Sequence, residues 1–194
     1  VFTLARLYGE TGKPKEGMKA IQRYRANVKG RAGEVALLGA SLMEKLGDES
    51  GAVAEYRRAM RDSMTREQAS VALARIDAES GRCKKATAVL WGKLMSAAGQ
   101  KQYESSRPYL ALARCLVSQG EGEMAAQAAK MAEARTDSKE ESRYAAYISA
   151  AARQFPDDGE QSSLDHGKDI WAALSEDHRA GIQLEEEIEK RRQR

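Results

Sequence analysis

The chain has 194 residues, with 32 Lys and Arg against 29 Asp and Glu and a formal net charge of +3. At 42% apolar and 31% charged residues it is globular rather than disordered, and no apolar run approaches the ~20 residues that a membrane span needs. Two cysteines exclude a disulfide-rich scaffold and an all-thiolate zinc site, and two histidines leave little for a histidine-based metal centre. Abundant Ala, Glu, Lys, Arg and Gln, beside only 3 prolines and 6% aromatics, predict an all-α fold.

The chain enters at Val1-Phe2-Thr3-Leu4, in the middle of an amphipathic pattern, and reads as a piece of a longer protein. Its first helix ends near Gly12, and Pro14 suits the opening turn of a second. That pair makes a unit over about 1–30. Two further pairs are predicted over 31–64, turning at Gly47, and 65–101, opened by a Thr65/Gln68 capping box and turning at Gly81. The next runs over 102–136, with Pro108 in its opening turn and a bend at Gly120. A fifth, degenerate unit over 137–160 starts at a Ser138/Glu141 capping box. Residues 153–163, with Pro156 and Gly159, read as a loop. Residues 161–194 read as C-terminal capping helices with Ile170, Trp171, Leu174, Leu184 and Ile188 on the apolar stripe.

The four glycines lie 35, 34 and 39 residues apart, a spacing that signals stacked repeats of helix, tight turn and helix. Small residues recur around them. Ala5, Ala40, Ala74 and Ala113 precede the glycines by seven positions, and Gly17, Ala52, Ala86 and Ala125 follow by five. Two helices approach closely only where both are trimmed, so these positions mark the crossings. Larger residues beside them, among them Leu4, Ile21, Tyr56, Leu90, Tyr109, Leu112 and Leu116, are expected to fill the gaps.

This pattern resembles the tetratricopeptide repeat family. The second unit carries the likeness through Gly47, Asp48, Ala52, Tyr56 and Ala59, and the fourth through Tyr109, Leu112, Ala113, Gly120, Ala125 and Ala132. None of the units has the family's closing Pro, and Asp77 stands where the family prefers an aromatic. The resemblance covers about residues 1–136. It implies a right-handed superhelical solenoid of antiparallel helix pairs with a C-terminal capping helix, and a concave face lined by the first helix of each pair.

Registering the units on their glycines gives that face a column of Arg6, Ser41, Arg75 and Arg114 beside an apolar strip of Phe2, Leu37, Val71 and Leu110. Glu10, Lys45, Glu79 and Ser118 form the next column. Arginine forks carboxylates and stacks on aromatics, so the column suits a partner. The competing reading is that these arginines pair with Glu10, Glu79 or Glu44 and are solvated. The dicarboxylate clamp of chaperone-binding members wants Lys and Asn where Leu37 and Ser41 stand.

No nucleophile elbow, dinucleotide fingerprint or phosphate loop is present, so no enzymatic role, cofactor or metal is expected. His166 and His178 read as surface residues. Cys115 reads as a small core residue and Cys83, beside Arg82, Lys84 and Lys85, as a packed or reactive thiol; the sequence leaves a bridge between them open.

The resemblance implies a non-enzymatic scaffold or adaptor that holds a peptide, helix or partner subunit in the groove. In bacteria such modules serve envelope assembly, secretion or polysaccharide export, in cytoplasm or periplasm. Single-stranded RNA binding is the alternative, opposed by the low net charge and scarce groove aromatics, and a regulatory domain of a larger enzyme is a third. Apolar surface at Val1-Phe2-Leu4 predicts some self-association. Residues 1–31 carry a net charge of +6 and residues 157–194 a net −5, which favours end-to-end contacts.

Overall fold

In the computed structural model, residues 2–25 and 31–152 are described. They form ten α-helices and no strand. In chain order these are α1 (Phe2–Glu10), α2 (Pro14–Arg25), α3 (Ala32–Lys45), α4 (Glu49–Ala59), α5 (Arg66–Glu79), α6 (Cys83–Leu94), α7 (Ala97–Gln102), α8 (Arg107–Ser118), α9 (Gly122–Glu133) and α10 (Lys139–Ala152). The loop at 153–163, His166, His178 and the capping segment 161–194 lie outside the described residues.

The four glycines do the same job four times. Gly12, Gly47, Gly81 and Gly120 take φ of 73°, 76°, 79° and 77°, the left-handed region, where a Cβ is strained. After each, the next amide reaches back five residues. Lys13 donates to the Tyr8 carbonyl at 2.8 Å, Asp48 to Met43 at 2.9 Å, Arg82 to Asp77 at 2.8 Å and Glu121 to Leu116 at 3.0 Å. That bond satisfies a carbonyl the ending helix would leave orphaned and turns the chain directly into the next helix. A Cβ added at Gly12, Gly47 or Gly81 would meet nothing within 4 Å, so backbone conformation, not crowding, selects glycine there. The joined helices α1 and α2, α3 and α4, and α8 and α9 pack on each other.

Two compact units divide the chain, Val1–Ile76 and Asp77–Arg194, with the boundary inside α5 and so inside the predicted third repeat. In the first unit, Ala5, Ile21, Val35 and Leu42 form one core cluster; Ala36, Ala40, Ala52, Tyr56, Ala59, Ala69 and Ile76 form another. The close approach of α1 and α2 is set by Gly17, where an added Cβ would lie 3.0 Å from the Ala5 carbonyl oxygen and 3.0 Å from Leu42 Cδ1. In the second unit α8 is buried almost throughout. Tyr109, Leu112 and Leu116 are fully buried, as are Leu90 and Leu94 of α6, Ala125, Ala129 and Ala132 of α9, and Ile148 of α10. All the small residues read as crossings, from Ala5 to Ala125, are buried. Leu4 is not the gap-filler expected of it: it is 45% exposed, and Ile21 and Leu42 fill the core beside Ala5 instead.

Helix starts differ in detail from the sequence reading. Asp48 caps α4 by accepting from the Gly51 amide at 2.9 Å. Thr65 stands before α5, but its hydroxyl turns inward and donates to the Ala59 carbonyl at 2.8 Å, so no capping box forms. Half a box forms at α10: the Glu141 amide donates to Ser138 Oγ at 3.4 Å, while the Glu141 carboxylate is claimed elsewhere. The short α7, capped by Ser96 accepting from the Gly99 amide at 3.0 Å, is a helix beyond the predicted pairs and lies across the expected boundary between the units 65–101 and 102–136.

A disulfide joins Cys83, the first residue of α6, to Cys115 in the middle of α8, with the two Cα atoms 5.1 Å apart. Packing of Cys115 in the core and bonding to Cys83 are therefore both true, and a reactive Cys83 thiol is corrected to a bonded sulfur. The bond closes a loop spanning 32 residues, which by chain entropy alone stabilises unit 2 by roughly 3–4 kcal/mol.

Candidate binding surface

Arg6, Ser41, Arg75 and Arg114, the column with two expectations on it, a partner-facing ladder or arginines paired with nearby glutamates, meet different surroundings in the structure. In unit 1, Arg6 is exposed on α1 and its Nε lies 3.3 Å from Glu10 Oε1 one turn on. Ser41 donates to its own helix at the Leu38 carbonyl, 2.9 Å away. Arg75 is only 7% exposed and its guanidinium pairs with the Glu44 carboxylate of α3. Tyr56, on α4, sits in the same cluster, and burial first, then Glu44, pushes its phenol above the ordinary tyrosine range, with Arg75 pulling the other way. Val71 is buried and Leu37 packs against the α3–α5 core. Arg75 and Val71 are thus packing residues inside unit 1: Arg75 takes the Glu44 partner that the competing reading offered, but the pair is buried rather than solvated, and the expectation of an open guanidinium at Arg75 is corrected. The reason is non-local: α5 lays Arg75 against Glu44 of another helix, and a charge removed from water needs a partner of opposite sign.

The neighbouring column is also engaged. Lys45 Nζ donates to the Gly9 carbonyl at the end of α1, 2.7 Å away, and Ser118 donates to the Cys115 carbonyl at 2.7 Å. Arg25 of α2 meets Glu55 of α4 at 2.5 Å.

In unit 2 the column opens onto space. A half-open cavity of about 360 Å³ lies along α8, with Arg107, Leu110, Ala111 and Arg114 on one wall and Glu141 and Tyr144 of α10 on the other. Leu110 and Arg114, both read from sequence as groove residues, are therefore side by side at a cavity. Arg107 Nη2 lies 3.6 Å from Glu79 Oε1 at its edge, a loose exposed pair of small energetic weight. Burial raises the Tyr144 phenol above its usual range, with the Arg114 charge opposing. Glu141 accepts from Ser106 Oγ and Thr136 Oγ1, both at 2.6 Å, and these two bonds hold its carboxyl below the usual glutamate range, with Arg107 adding to them. Leu110 and Ala111 line it beside side chains of both signs, a mixed composition that takes an apolar side chain with an adjacent polar or charged group.

Sequence reasoning missed one side chain that shapes this unit. Arg135, just beyond α9, donates to three carbonyls: Tyr103 at 3.1 Å, Gln100 at 2.9 Å and Met131 at 2.9 Å. Its guanidinium also lies 4.5 Å from the centroid of the Tyr109 ring. It ties the end of α7 to the end of α9. A basic residue at a helix carboxyl end was the only signal, and its second set of acceptors is 32 and 35 residues away.

Among the described residues no group of three or more His, Cys, Asp and Glu is gathered as a metal site would require, and no helix is long and apolar enough to cross a membrane. Compared with known proteins, the chain matches no family model, no curated protein and no solved structure.

Proposed function

We propose that the chain is a tetratricopeptide-like repeat scaffold, its helix pairs stacking into a right-handed superhelix, that holds a peptide or helix of a protein partner against the first helices of its pairs. The observation that carries this reading is the unit 2 cavity, where Leu110 and Arg114 of the sequence-derived groove columns line open space beside Tyr144. The four equivalent left-handed glycine turns and the buried small residues at matching positions support the repeat architecture. No catalytic role is assigned to the chain.

Peptides selected from a random display library against the intact chain test the reading. Their affinity is expected to fall by on the order of tenfold or more on Arg107→Glu/Arg114→Glu, while Lys84→Glu/Lys85→Glu, away from the cavity, leaves it intact. Equal affinity for wild type and the first variant overturns the assignment of the cavity. Binding of single-stranded RNA that weakens log-linearly with salt, with no peptide recovered, replaces the proposal by the RNA-binding alternative.

A further inference from the structure

The two sulfurs of the disulfide stand in opposite environments. Cys83 is half-buried at the first turn of α6 and lines an open cleft of about 650 Å³ shared with Arg82, Lys84 and Lys85. Asp77 also lines the cleft and pairs with Arg82 at 2.8 Å, so a helix amino end and two lysines are what would make Cys83 a good leaving thiolate. Cys115 is the reverse: it is 0% exposed on α8, in a stretch whose Leu112, Leu116 and Val117 are also fully buried.

Thiol–disulfide exchange needs both access to the attacked sulfur and a leaving sulfur that tolerates charge. An outside thiolate reaches Cys83 Sγ. The new bond forms there, the S–S bond breaks, and the electron pair departs on Cys115 Sγ, into an apolar core that disfavours a thiolate. The favourable direction, with Cys83 leaving, requires attack on Cys115, which no solvent-borne thiolate can touch while α8 stays packed. Each route is closed by the sulfur that the other would need.

We propose that the Cys83–Cys115 bond is a permanent lock on unit 2, made in an oxidising compartment and shielded from later exchange, rather than a redox switch. Making it removes two electrons and two protons from the paired thiols. These pass to a disulfide-bearing oxidant, protein or small molecule, which becomes a dithiol. Reducing compartments keep such thiols apart, so the lock places the working chain on the periplasmic or secreted side.

The test treats the purified, oxidised chain with millimolar reduced glutathione and follows thiols with a maleimide–polyethylene glycol shift. Opening in the native chain is expected to be slower than in guanidinium by on the order of 100-fold or more, because the core must open first. In cells quenched with acid and then unfolded in guanidinium for labelling, the chain exported to a bacterial periplasm is expected to resist maleimide, and the chain kept in the cytoplasm to label at both cysteines. Cys83→Ser/Cys115→Ala is expected to lower the Tm and to speed amide exchange in residues 77–152 while leaving 2–76 unchanged. Native reduction as fast as denatured reduction, free thiols in the exported chain, or an unchanged Tm in the double variant overturns the proposal.

Discussion

In residues 2–25 and 31–76 the apolar core that joins neighbouring helical hairpins is supplemented by charge: Arg75 to Glu44, Arg25 to Glu55, and Lys45 to the carbonyl end of α1. In residues 77–152 the same kind of hairpin, with the same left-handed glycine turn, is fastened by a covalent bond, a guanidinium spread over three carbonyls, and a carboxylate held by two hydroxyls. The small-residue crossings are common to both. What differs is the lock placed between neighbouring helices. The turn and the crossing therefore specify the module, and the lock is free to vary, because many chemistries can hold two already packed helices in register. A buried ion pair is the costlier choice, since each charge gives up water; the disulfide involves no such loss but needs an oxidant.

The sharpest way to break this comparison is at Arg75. Arg75→Ala leaves the Glu44 carboxylate, 17% exposed at its side chain, without the cation that offsets its burial, and an expected loss of about 3–5 kcal/mol follows. Glu44→Leu/Arg75→Met removes both charges and is expected to recover most of that loss, since apolar groups of similar volume often replace a buried pair at no net cost. Urea unfolding of wild type, Glu44→Leu, Arg75→Met and the double variant closes the cycle. A double variant as unstable as the single one would show that the loss came from packing at Arg75 and not from charge.

Arg135 offers the matching test in unit 2. Arg135→Ala deletes donors to Tyr103, Gln100 and Met131 and the contact over Tyr109, and the expected cost is about 2–3 kcal/mol. Hydrogen exchange should locate the damage. Amides of α7 and of the α9 end are expected to lose protection, and those of α1–α4 to keep it. Uniform loss through both units would mean that the units do not carry separate locks.

These locks mark where reading the sequence stops working. The turns at Gly12, Gly47, Gly81 and Gly120 were legible because a left-handed residue is a local demand that almost only glycine meets, and Ala52, Ala86, Ala113 and Ala125 were legible because close helix crossings repeat at fixed offsets. Register also places Leu110 and Arg114, one member of each groove column, on one face of α8, and both line the unit 2 cavity. Arg75 has an equivalent register position and Glu44 was a candidate partner for it, yet no spacing within α5 announces that the pair is buried between α3 and α5. The Cys83–Cys115 bond and the reach of Arg135 are likewise meetings of residues 32 or more positions apart, fixed by how helices pack and not by any local pattern.

The smallest expected effect is the most specific to unit 2, because it is read from a single titration. The Glu141 carboxyl is held below the ordinary glutamate value by the Ser106 and Thr136 hydroxyls. A folded-state value below the unfolded one means that the native chain binds its proton later as pH falls. The contribution of Glu141 is therefore complete above the ordinary glutamate range and is lost as pH drops from there through the depressed folded value. Glu141→Gln is expected to cost about 1 kcal/mol near neutral pH, where hydrogen bonds to a charged acceptor become bonds to a neutral one, and almost nothing once pH lies below that folded value. Unfolding midpoints measured across this acid range should converge for wild type and variant as pH falls. Curves that stay parallel would show that the hydroxyls favour the shape of the side chain and not its charge.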